Sequence, residues 1–113
     1  MTKTLILDTN VYLTEVSSLF AFGKSNIAIP TIILDEIDKH KNRQDTAGFN
    51  ARMMNRTLDN LRRKGSLFEG VSLGRGKGKV FAAQYDPRYM PPGMATSDSD
   101  NKIIAIALRL KLE

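Results

Sequence analysis

Apolar residues in this chain come in short runs set off by polar punctuation, and two of the runs have strand length. Residues 4–8, Thr4-Leu5-Ile6-Leu7-Asp8, read as a buried strand, and Ile27-Ala28-Ile29 reads as a second. Between them Leu13, Val16, Leu19 and Phe20 recur at helical spacing. That predicts a helix from Val11 to about Phe22, ended by Gly23, with a turn at Lys24-Ser25-Asn26. Pro30-Thr31 starts a predicted helix that runs to about Lys41, and the polar stretch Asn42 to Thr46 reads as a loop. The longest helix is expected from Ala47 to Lys64. Ala47, Ala51, Met54, Leu58 and Leu61 fall 4, 3, 4 and 3 residues apart, and Gly65 follows as a stop. A glycine- and lysine-rich segment, Gly70 to Lys79, leads into a predicted strand from Lys79 to Tyr85. Asp86-Pro87 and Pro91-Pro92-Gly93 are turns. The last helix is expected from Ser97 to Leu112, burying Ile103, Ile104, Ala107 and Leu108. Strand, helix, strand, helix in that order predicts an α/β fold around a mainly parallel sheet. The chain has no internal repeat and no interdomain linker.

A length of 113 residues suits one domain with one core, and at this size a hydrophobic core suffices without disulfides. Cysteine is absent, so thiolate zinc sites, thiol nucleophiles and disulfide frameworks are excluded; a reducing cytoplasm is the expected setting. Met1-Thr2-Lys3-Thr4 leads directly into the first strand without a signal-peptide pattern. No apolar run approaches the roughly 20 residues of a membrane span. Seventeen Lys and Arg against twelve Asp and Glu give a net charge of +5, which suits a polyanionic partner such as nucleic acid and equally suits a merely soluble basic protein.

Three acids sit where chemistry is commonly placed. Asp8 ends an apolar strand, which delivers its carboxylate to the carboxyl edge of a parallel sheet. The plainer role is capping, because Asp8, Thr9 and Asn10 are all favoured at a helix start; Asn10 would then cap the helix and orient Asp8. Glu36 follows Ile32 and Ile33 by four and three residues, on the border of a buried stripe, although a solvated helix glutamate has the same pattern. Asp35 and Asp38 read as surface residues. Asp100 lies one turn before Ile103 and Ile104, yet Ser97-Asp98-Ser99-Asp100 is rich in capping residues, and Asp98 reads as a cap. Together the three acids would offer the oxygen ligands that Mg²⁺ and Mn²⁺ prefer. Such an ion lowers the pKa of a water and neutralises charge at phosphorus. With one histidine, zinc is a poor candidate; His40 reads as a partner of its helix's terminal carbonyls.

Leu7-Asp8-Thr9-Asn10-Val11, Ile29-Pro30 with Leu34-Asp35-Glu36-Ile37-Asp38, and Asp100-Asn101-Lys102-Ile103-Ile104-Ala105 resemble, in order, the three motifs of the PIN-domain nucleases. Gly48-Phe49-Asn50-Ala51-Arg52, Gly65 through Val71, and Asp86-Pro87 through Pro91-Pro92-Gly93 resemble the branch fused to PhoH-type ATPases. The resemblance implies a three-layer α/β/α sandwich over residues 1–113 and metal-dependent ribonuclease activity with Mg²⁺ or Mn²⁺. It implies metal-binding roles for Asp8, Glu36 and Asp100, and hydrolysis that leaves a 5′-phosphate and a 3′-hydroxyl. It also implies a further strand after the last helix, carrying another Asp beside the first strand. The chain stops before it, so the expectation is a domain truncated at its C-terminus with an open strand edge.

Arg52, Arg56 and Arg63 share one face of the long helix, which suits phosphate contact and equally suits a solvated face. Gly74-Arg75-Gly76-Lys77-Gly78-Lys79 lacks the Gly-Lys-Ser/Thr that must open a helix in a phosphate loop. It reads as a hairpin tip, or as a flexible basic finger placing Arg75 and Lys77 on RNA backbone. Two functions emerge: a metal-dependent endoribonuclease acting on single-stranded RNA, and a non-catalytic RNA-binding module that feeds an ATPase partner. A phosphoacceptor receiver domain fits poorly, since no later strand ends in a suitable Asp. Self-association is expected by analogy with the family.

Overall fold

The computed structural model describes residues 3–95 and 99–112; of Pro87, Ser99, Asp100, Arg109, Lys111 and Leu112 the backbone alone is described. Four strands form one sheet: β1 (Thr4–Leu5), β2 (Asn26–Pro30), β3 (Val71–Ser72) and β4 (Lys79–Ala83), in the spatial order β1-β2-β4-β3. β1, β2 and β4 are parallel, with Thr4 beside Asn26 and Ile27 beside Val80. β3 pairs antiparallel with β4 as a short hairpin that sequence periodicity gave no sign of. Among the described residues β1 and β3 are the open edges.

Alternation along the central strands divides the core into two. Ile27, Ile29, Val80 and Ala82 pack with α1 (Thr9–Thr14), α2 (Thr31–His40) and α3 (Thr46–Arg62), through Leu13, Ile33, Ile37, Met54 and Leu58. Ala28 and Ala83 point the other way, against Ile106 and Leu110 of α4 (Ser99–Leu112). Helices therefore cover both faces, and the expected α/β sandwich is the fold.

Three expectations about elements need correction. The strand expected over 4–8 keeps ladder pairing only at Thr4–Leu5, because an edge strand has one neighbour and the chain turns at Asp8 into α1. The single helix expected from Val11 to Phe22 is two pieces. α1 starts two residues earlier at Thr9, and Glu15 is extended (φ −153°, ψ 105°), splitting it from a 3₁₀ turn over Val16–Phe20. The stripe expected on the last helix is rotated. Ala105 and Ile106 are buried, whereas Ile104 is 43% exposed and Leu108 37%, with Ala107 exposed as well. α4 carries apolar residues on more than one side, so periodicity could not choose the face that meets Ala28 and Ala83.

The glycine-rich loop between β3 and β4 is a pinned hairpin, not a free finger. The Leu73 N–H donates to the Gly78 carbonyl, the Gly78 N–H to the Gly23 carbonyl, and the Lys77 Nζ to the Phe20 carbonyl at 2.6 Å. A Cβ on Gly78 would collide with the Ser25 carbonyl, so only glycine permits this approach.

Candidate metal centre

Asp8 stands where β1 gives way to α1, with extended backbone (φ −68°, ψ 154°). Its Oδ1 accepts the Thr9 N–H at 2.9 Å, so Asp8 itself caps the helix. Capping engages one oxygen. Oδ2 has no protein partner among the described residues, and the residue is exposed. Capping therefore leaves Oδ2 facing solvent and open to a ligand.

Thr9 connects this acid to the next one. It is only 7% exposed, the buried polar residue among those described, and its Oγ1 donates to the Glu36 Oε2 at 2.5 Å. A hydroxyl bonded to a carboxylate at that length is a strong, charge-assisted contact. Glu36 lies in the second turn of α2, half-buried between the fully buried Ile33 and Ile37. One threonine thus holds both carboxylates, Asp8 by its N–H and Glu36 by its hydroxyl. A helix that begins at Val11, as periodicity predicts, leaves Thr9 without an inward-facing role. Once it starts at Thr9, the buried residues Thr9, Tyr12 and Leu13 fall on one face.

Asp100 occupies the first turn of α4, and its side chain lies outside the described residues, as does Asp98 altogether. The geometry around it is nevertheless informative. Ile103, one turn further on, lines a cavity of about 270 Å³ together with Ile6, Leu7, Asp8, Ile33 and Ile104. Each acid also follows the carboxyl end of one of three adjacent parallel strands: Asp8 after β1, Glu36 after β2, and Asp100 after β4. That edge is where open parallel sheets place their sites. Among the described side chains no group of three or more acids or histidines is gathered closely enough to hold a metal.

Other sequence candidates are placed differently. Asn10 is exposed within α1 and its side chain is in no described hydrogen bond; Asp8, not Asn10, caps the helix. Arg52 donates to the carbonyls of Lys41 (2.7 Å) and Arg43 (2.9 Å), so it holds the loop between α2 and α3. Arg56 is exposed on α3 and in no described ion pair. His40 meets the Arg43 side chain at 3.0 Å instead of terminal carbonyls. Arg75 and Lys77 sit at the opposite, amino-terminal edge of the parallel sheet, away from the carboxylates.

The family profile described as PIN domain matches residues 5–113. The chain belongs to the PIN-domain family. This PIN domain is 34% identical over 114 residues to the protein PhoH2 of Bacillus subtilis (strain 168), covering 100% of the chain and 26% of that protein. It is 33% identical over 113 residues to protein PhoH2 of Thermobispora bispora, covering 99% of the chain and again 26% of the relative. A third PhoH2, from Mycolicibacterium smegmatis, is 25% identical over 114 residues. The chain thus spans about a quarter of the length of the curated relatives it matches. No solved structure matches it.

PIN domains are generally nucleases and generally use divalent metals. The donors present here suit such an ion: two carboxylates held by one threonine, each with an oxygen that has no protein partner among the described residues.

Proposed function

We propose that this PIN domain is a Mg²⁺- or Mn²⁺-dependent endoribonuclease. Asp8, Glu36 and Asp100 would hold the metal at the carboxyl edge of the sheet, within one PIN unit formed by residues 1–113. The observation that carries the reading is Thr9, whose backbone N–H holds the Asp8 carboxylate and whose buried hydroxyl holds that of Glu36. When bound, a divalent cation supplies charge neutralisation at the phosphate and a water of lowered pKa. The chain's own residues do the positioning. Asp8, fixed by its capping bond, presents its second oxygen outward. Thr9 orients the Glu36 carboxylate, and half-burial beside Ile33 and Ile37 strengthens its electrostatic interactions. The net charge of +5 draws polyanionic RNA, single-stranded RNA being the proposed substrate. The proposed setting is the cytoplasm; among the described residues no helix is long and apolar enough to cross a membrane.

Calorimetric titration with Mn²⁺ tests the ligands independently of turnover. The expected result is binding by the wild type that Glu36→Gln weakens at least tenfold, alongside RNA cleavage that EDTA abolishes. Mn²⁺ binding unaltered by Glu36→Gln would remove Glu36 from the centre. A second reading, a non-catalytic RNA-binding module working with a PhoH-type ATPase domain, has one observation on its side: Arg75 and Lys77 lie at the edge of the sheet opposite the carboxylates.

A further inference from the structure

Two long acid-free stretches of the sequence meet at the edge of the sheet opposite the carboxylates. Neither residues 16–34 nor residues 70–85 contain an Asp or Glu. The fold brings the turn at 23–26 against the loop between β3 and β4, through the Gly78–Gly23 and Lys77–Phe20 bonds and through Lys79 N–H donating to the Asn26 Oδ1 at 2.9 Å. Lys3 joins them, its carbonyl accepting the Asn26 N–H at 2.8 Å. Lys3, Lys24, Arg75, Lys77 and Lys79 are thereby gathered on one rim. All five are exposed, and the described ion pairs engage none of them. Lys24, Lys77 and Lys79 line an open cleft of about 470 Å³ with Asn26, Gly76 and Gly78. Phe22, two residues before Lys24 in the chain, is 39% exposed.

We infer that this rim is a second contact surface for single-stranded nucleic acid, separate from the carboxylate edge: its cations track phosphates and the Phe22 ring stacks on a base. A cationic groove with an exposed aromatic beside it is the chemistry by which proteins hold single strands without sequence preference. The hairpin pins make the rim rigid, so binding does not have to order it. Four residues of strand, roughly 13 Å, separate Lys79 from the carboxyl end of β4. A strand engaged at both edges must therefore run along the molecule, and short oligonucleotides miss the rim. The inference rests on RNA being the substrate, as proposed above, but not on catalysis.

The test is fluorescence anisotropy of a labelled oligo(U) in EDTA, titrated across KCl concentrations, so that no metal-dependent cleavage enters. Lys24→Glu/Arg75→Glu, at side chains without described partners, should make the log–log salt dependence shallower by about 1.4, the loss of two single-strand phosphate contacts. Lys24→Arg/Arg75→Lys should keep the wild-type slope. Phe22→Ala should weaken binding without changing the slope, since stacking releases no counterions. An unchanged slope in the Glu pair would overturn the inference. So would an equal loss from Lys39→Glu/Lys64→Glu, which would mean diffuse net charge. Rim-dependent binding to phosphatidylserine vesicles with none to oligo(U) would likewise overturn it. Rim-dependent binding without any cleavage leaves this inference standing and removes only the nuclease; cleavage with an indifferent rim does the reverse.

Discussion

Thr9 holds the Asp8 carboxylate through its N–H and the Glu36 carboxylate through its hydroxyl. Replacing it with valine keeps the shape of the side chain but leaves the half-buried Glu36 carboxylate without its hydroxyl donor. The expected cost is about 1–3 kcal/mol in urea unfolding, with Thr9→Ser recovering most of it. An unchanged midpoint in Thr9→Val would show that the hydroxyl is dispensable. Tyr12 presents the opposite case. It is fully buried, its hydroxyl has no partner among the described residues, and burial pushes its pKa up. Tyr12→Phe should therefore raise stability by about 1 kcal/mol, and a loss of stability would mean the hydroxyl has a role in the core. Asp8 was legible because a carboxylate ending an apolar run is a local pattern. The pairing of Thr9 with Glu36, 27 residues away, is tertiary, and nothing local in either sequence segment encodes it.

At the scale of elements, the segment Gly48-Phe49-Asn50-Ala51-Arg52 ties α3 to its neighbours. Asn50 Nδ2 donates to the last carbonyls of α1, at Leu13 (2.6 Å) and Thr14 (3.1 Å), groups that no intrahelical bond satisfies. Ala51 is buried in the core, and Arg52 holds the loop carbonyls of Lys41 and Arg43. Gly48 is glycine because a Cβ there would run into the Arg43 carbonyl and carbonyl carbon. Gly48→Ala should cost about 1–3 kcal/mol, since backbone and not a flexible side chain must yield; an unchanged melting temperature would refute the close approach. Asp45 caps the same helix. Its carboxylate lies below the ordinary range, chiefly through the Gly48 N–H and then through Arg43. A depressed folded-state pKa contributes stability that is present above the unfolded pKa and is lost as pH falls through the folded one. Asp45→Asn should remove that part of the acid-side loss in a pH series of thermal melts, and an identical acid limb in the variant would contradict the assignment. α3 itself was legible, because its five apolar positions repeat cleanly and face one core. The orientation of α4 was not, because apolar residues on more than one of its sides leave the choice to Ala28 and Ala83 across the sheet.

The whole molecule separates two chemistries by the polarity of its sheet. Three parallel strands point their carboxyl ends at the acids and their amino ends at the lysines, so a single topological fact places the candidate centre and the basic rim on opposite edges. The parallel direction of the main strands followed from the alternation of strands and helices in the sequence, whereas the order β1-β2-β4-β3 is seen only in the folded sheet. The antiparallel β3 did not, since two residues are too few to show a period. The basic segment was recognisable as cationic, but its distance from the acids depends on register, which only the folded sheet supplies. The most direct test of the centre is cleavage of an end-labelled single-stranded RNA by the wild type and Asp8→Asn, each with Mn²⁺ and with EDTA. The expected result is cleavage by the wild type with Mn²⁺ alone, and none by Asp8→Asn at an unchanged melting temperature. Equal cleavage by Asp8→Asn, or wild-type cleavage that persists in EDTA, would contradict a metal centre built on Asp8.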